Sequence, residues 1–202
     1  MNQVYVTQEA INSDEEFIRF DEIENVSKFY IGPCNVENYN ELTRDILIEF
    51  ICAQANFPVF LTFEPYKDVV ERIERAFQNK QIPYSLRFER QKNKSIPVFL
   101  VAIHDSTALH FVLQETYWLA SSNQFYVFSF SENIRYSQEV MKSIFGFNKS
   151  ILLPYIQMSP PATVLKVWHD GQGFLLYTSD SRYSSVEKLM RSFPKSRIVE
   201  RI

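Results

Sequence analysis

The 202-residue chain is 46% hydrophobic and 22% charged with a formal net charge of −3, a balance that supports a sizeable core and excludes the disordered and collagen-like classes. Its 18 Phe and 11 Tyr stand against only 4 Gly, and neither GxGxxG nor GxxxxGK followed by Ser or Thr occurs, which removes the dinucleotide and P-loop readings and leaves no cofactor expected. Two cysteines are too few for a disulfide framework, the opening segment lacks a basic start and an apolar run, and the longest apolar runs are strand-length. The expectation is a reduced, cytoplasmic, globular protein with no membrane span.

In chain order, an acidic lead covers residues 1–37, with VYV and KFYI as weak strand patches. A helix fits Asn40 to Ala55, where Leu42, Ile46, Leu47, Phe50 and Ile51 give a broad apolar face, Asn38 or Asn40 serves as the cap, and Pro58 ends the run. PVFLTF reads as a short buried strand. A second helix is opened by Pro65 near its first turn, with Tyr66, Val69, Val70, Ile73, Ala76 and Phe77 on one face and two i,i+4 ion pairs, Asp68 to Arg72 and Glu71 to Arg75, on the other. YSLRFER alternates as a strand, and the polar turn QKNKS leads into the strand IPVFLVAI.

LHFVLQETYWLASS suits helix or strand, and its length favours helix. FYVFSFS is a strand, VMKSIFGF reads as a short helix, and LLPYIQMSPPA as a proline-rich connection. The final 40 residues form a hairpin, TVLKVW turning at HDGQG into FLLYTS, then a helix opened by a Ser184–Glu187 capping box and stopped by Pro194. RIVERI closes the chain as an edge strand. The units at 57–104 and 163–202 share a strand-helix-strand outline, which makes an old duplication one reading.

This pattern gives a single α+β domain, one mixed sheet with three or four packed helices, because strands and helices interleave without steady alternation.

Two apolar runs each end in a His-Asp pair, His104-Asp105 and His169-Asp170. Asp before Ser or Gly is ordinary turn chemistry, since its carboxylate bonds nearby backbone. HExxH and CxxC are both missing, so no metal site is assigned. Cys34 precedes the first helix, where a thiol pKa is lowered; with His104 or His169 alongside, it would form a Cys-His hydrolase or transferase. Cys52 lies within the helix as a core residue.

Charge distribution is the sharper signal. Residues 1–50 hold eleven acids and three bases, whereas the remainder holds thirteen acids and eighteen bases. Between Glu9 and Glu24 seven acids face one base, Arg19. Basic residues gather at 80–94 and 182–201, where Tyr84, Phe88 and Tyr183 would supply stacking for a nucleic acid, although the net charge and the lack of a recognised motif oppose it. The expectation is a non-enzymatic interaction protein, of inhibitor, immunity or adaptor type, that binds a basic partner protein through Glu15, Glu16, Asp21 and Glu22.

Overall fold

In the computed structural model, residues 3–12, 17–34, 37–54, 56–91, 94–142 and 148–201 are described. Twelve strands and four α-helices occur among them. The strands are β1 (Gln3–Glu9), β2 (Arg19–Phe20), β3 (Ser27–Pro33), β4 (Val59–Phe63), β5 (Tyr84–Gln91), β6 (Lys94–Ile103), β7 (Tyr126–Ser129), β8 (Ile134–Lys142), β9 (Asn148–Ile156), β10 (Thr163–Val167), β11 (Phe174–Thr178) and β12 (Ile198–Arg201). The helices are α1 (Tyr39–Gln54), α2 (Val70–Asn79), α3 (Ser106–Ser121) and α4 (Val186–Arg191).

Nine strands form one sheet in the order β12-β1-β3-β11-β10-β7-β4-β6-β5, and a small sheet has the order β2-β9-β8. Within the large sheet only β1 and β12 pair in parallel. The chain is therefore α+β, a large mixed sheet with four helices, as the interleaved pattern predicts. The segment from β4 to β7 runs β-α-β-β-α-β with spatial order β7-β4-β6-β5, a split β-α-β arrangement in which β6 lies between the two strands that α2 connects. A second crossover, β11-α4-β12, spans both β3 and β1, so the two strand-helix-strand units insert different numbers of strands.

Side chains alternate across a strand, and both faces of this sheet are covered. Phe29, Leu61, Phe99, Phe128 and Phe174 meet Phe50, Ile73, Phe77, Leu113 and Leu189 from the four helices in the larger core. Ring contacts knit this layer: Phe77 and Tyr84 pack on Phe99, and Phe50 touches Phe174, Tyr183 and Phe193. On the opposite face Val127, Val164, Leu175 and Tyr177 join Ile18, Ile156 and Met158 in a second core. Phe174–Thr178 is buried along its whole length because it lies under both layers.

Several local expectations are corrected. Val140 to Lys142, expected in a helix, ends β8, and the rest of that stretch, 143–147, lies outside the described residues. The proline-rich connection contains β9, whose Pro154 pairs with Tyr136. The last helix is capped one residue later than the Ser184 box implies: the Ser185 hydroxyl accepts from the Lys188 N–H at 3.3 Å. Glu71 pairs with Arg75 as expected, but Arg72 lies over the Trp118 ring, 5.4 Å from its centroid, rather than in an ion pair with Asp68. The ambiguous segment after His104 is helix α3. Its cap is Asp105, which accepts from the Ala108 N–H at 2.8 Å, so that aspartate closes a helix end and not a simple turn.

Candidate functional site

The acidic lead is threaded back over the non-helical face. Ile18 is fully buried in the second core, and Phe20 packs on the Tyr177 ring at 5.1 Å. Arg19 between them points away and pairs with Glu139 of β8 at 2.9 Å. β2 is only two residues long, yet it adds a parallel edge to β9 through Arg19↔Tyr155 and Phe20↔Ile156. Apolar anchors on either side of an ion-paired arginine thus fix the segment.

Beyond β2 the chain turns outward, and Asp21, Glu22, Ile23, Glu24 and Asn25 are all exposed. Asp21 is also structural, since its carboxylate accepts from the Met158 N–H at 2.7 Å. Glu22 reaches the Asn25 amide at 3.4 Å. Among the described residues no ion pair joins Asp21, Glu22 or Glu24 to a lysine or arginine. Glu15 and Glu16 lie outside the described residues. Charge content alone marked this segment; the anchors Ile18 and Phe20 escaped notice because two apolar residues flanking one arginine carry no period.

The basic stretches behave differently from one another. Arg182, Arg197 and Arg201 are engaged by Asp180, Glu49 and Glu187, the Arg197 pair being bidentate at 2.6 and 2.7 Å. Tyr183 is 2% exposed and is closed to base stacking, which corrects its expected availability. Arg87 and Arg90 are exposed on β5, an edge strand of the large sheet, beside Phe88 at 57% exposure.

The two His-Asp pairs stand at opposite ends of the sheet. His104 follows Ile103, which pairs with the first residue of β4, and His169 follows the far end of β10 at the β10-β11 turn. His104 lines a surface cavity of about 340 Å³ with Lys80, Asp105 and Phe111. At the other end, Asn123 locks the turn: its side-chain oxygen accepts from the Asp170 N–H at 2.8 Å, and its amide donates to the Asp170 carboxylate at 2.7 Å. The same oxygen lies 3.3 Å from His169 Nδ1. Gly173, at φ +89°, closes the turn where any Cβ would sit 2.6 Å from the Ile31 carbonyl, so only glycine fits.

Cys34 is not brought to a histidine. β3 and β6 are five strand spacings of about 4.8 Å apart, and His104 leaves the opposite end of the sheet. His169 is at the same end as Cys34, but its ring meets Asn123 and Trp168. Burial pushes the Cys34 thiol up, Glu200 adds to this, and a hydrogen bond with Tyr5 works against it. That is the reverse of the lowered pKa expected at a helix start. Burial also raises the Cys52 thiol, which packs partly buried against the helical core.

A half-buried polar pair lies between the sheets. The Tyr136 hydroxyl of β8 donates to Glu64 Oε1 at 2.7 Å, tying the small sheet to the end of β4. Burial raises the Glu64 carboxyl above its ordinary range, and the Tyr136 bond pulls it partly back. Among the described residues no group of three His, Cys, Asp or Glu side chains is placed to hold a metal ion, and no helix is long and apolar enough to cross a membrane.

Comparison with protein-family models, with curated proteins and with solved structures finds no match for this chain.

Proposed function

We propose that the protein is a non-enzymatic interaction module that captures a basic partner protein through its acidic lead segment. One observation supports this best: the segment is pinned by buried Ile18 and the Arg19–Glu139 pair, while Glu22 and Glu24 are exposed and form no ion pair with a lysine or arginine among the described residues. Uncompensated charge displayed on a fixed backbone speeds encounter with an oppositely charged partner and selects against acidic ones. Ile23, at 38% exposure between those two acids, adds apolar contact area.

The test is affinity capture with the wild-type protein and with a variant carrying Lys at Glu15, Glu16, Glu22 and Glu24. Asp21 is kept because it holds the Met158 N–H. The expected result is a basic protein retained by the wild type, released by salt and missing from the equally stable variant. An unchanged set of retained proteins would overturn the proposal.

A further inference from the structure

β5 ends one side of the large sheet, and its pairing with β6 fixes which of its backbone groups face outward. The Ala102 N–H donates to the Pro83 carbonyl at 3.0 Å, and the register continued along the strand makes Ser85↔Leu100, Arg87↔Val98 and Glu89↔Ile96 the hydrogen-bonded pairs. Phe88 faces Pro97, which has no N–H to give, in keeping with that alternation. Tyr84, Leu86, Phe88 and Arg90 therefore direct their N–H and C=O groups away from β6. Among the described residues, one hydrogen bond reaches this outward backbone, from the Gln138 side chain to the Arg90 carbonyl at 3.2 Å. Tyr84 to Phe88 is thus an unpaired edge, a template for another strand. Tyr84 and Leu86 pack on the helical core, so Phe88 and Arg90 share that face and Arg87 and Glu89 the other. Among the described residues neither Arg87 nor Glu89 forms an ion pair.

We infer that β5 is a dimerisation edge, which pairs antiparallel with β5 of a second copy of this chain about a two-fold axis at Phe88. Outward residues must meet outward residues, so a symmetric pair is centred on a residue and not between two. Centred on Arg87, it opposes two guanidinium groups; centred on Glu89, it opposes two carboxylates. Centred on Leu86, it sets Arg87 against Ser85 and Glu89 against Pro83, with no charge pair. Centred on Phe88, it sets Arg87 against Glu89 on both sides of the axis, with Phe88 against Phe88 and Arg90 against Leu86 on the other face. Directly opposed aromatic pairs and opposite charges stabilise adjacent strands, whereas like charges repel. The Arg90 carbonyl keeps a second lone pair for the Leu86 N–H that faces it. Charges of one sign would guard this edge against its own copy; the mixed pair flanking exposed Phe88 makes it self-complementary. An acidic strand of another protein would answer Arg87 and Arg90 but set a like charge against Glu89. The acidic lead takes no part in this contact.

The experiment is sedimentation equilibrium of the full-length protein from micromolar to submillimolar concentration. The wild type should pass from monomer to dimer within that range, because a single strand pair makes a small interface. Arg87→Glu and Glu89→Arg should each weaken the dimer about tenfold or more by opposing like charges. The two together exchange the charges and should restore association to within about threefold of wild type. Phe88→Pro removes an N–H that faces away from β6, so it should leave thermal unfolding near that of the wild type and abolish the dimer. The charge exchange decides the matter even where the proline variant fails to fold. A monomer throughout the range would overturn the inference. A dimer that neither single reversal weakens, or that the double reversal fails to restore, would overturn it too, because another surface or another register would then hold the copies together.

Discussion

The two faces of the large sheet are covered by different kinds of structure. On one side four helices present apolar stripes to alternating strand residues, and the contacts are almost wholly aromatic and aliphatic. On the other, a three-stranded sheet and the acidic lead lie across a smaller core, and charged groups reach into it: Lys28 is 8% exposed and paired with Glu9 at 2.8 Å, Arg19 meets Glu139, and half-buried Glu64 accepts from Tyr136. A face sealed by regular amphipathic helices has little left to display. A face covered by short strands and a returning segment keeps polar groups at its margins, and the exposed acids are found there.

The contrast is tested first where it predicts the largest effect. Phe77→Ala on α2, which empties a fully buried site against Tyr84 and Phe99, should cost about 3–5 kcal/mol in denaturant unfolding. Arg75→Ala on the exposed side of that helix should cost under about 0.5 kcal/mol. Similar values for the two would mean that the helical face is not the principal core.

On the other face, Ile18→Ala removes the apolar anchor of the lead and should cost about 2–4 kcal/mol. It should also raise protease cleavage within residues 10–25 at temperatures where the rest of the chain resists. A stability loss without added cleavage would show that Ile18 is not what holds the segment. Breaking the neighbouring ion pair has a smaller consequence: a double-mutant cycle over Arg19 and Glu139 should give a coupling of about 1 kcal/mol that declines with salt.

Glu64 adds a pH signature peculiar to this face. Its folded pKa lies above the ordinary 4.5, so the folded state binds a proton that the unfolded state has released. Stability from this group is greatest at or below pH 4.5 and declines as pH rises toward the folded pKa. Glu64→Gln, which can still accept from Tyr136, should flatten that decline; an unchanged slope would place the titration elsewhere.

How far the sequence foretold these two faces follows from the same difference. α2 and α3 and the β10-β11 hairpin were readable because their apolar spacing and their Asp and Gly residues act locally. β8 and β9 were not. VMKSIFGF has spacing compatible with a helix, and Pro154 argued against a strand. β2 reaches β9 only at Tyr155 and Ile156, leaving Pro154 at the margin of the three-stranded part, where a missing N–H is tolerated. The acids were visible as composition. The unpaired edge of β5 was not, because only its pairing with β6 fixes which backbone groups face outward.

Whether the acidic segment is the docking surface can be read from zero-length carbodiimide cross-linking of the protein with its captured partner, because this joins carboxylates to lysine amines in contact. Partner lysines should be joined to Glu22 and Glu24, and to Glu15 or Glu16, with cross-linking suppressed as salt screens the exposed charges beyond about 8–10 Å. Cross-links that avoid the acidic segment, or that persist unchanged at high salt, would contradict the docking role.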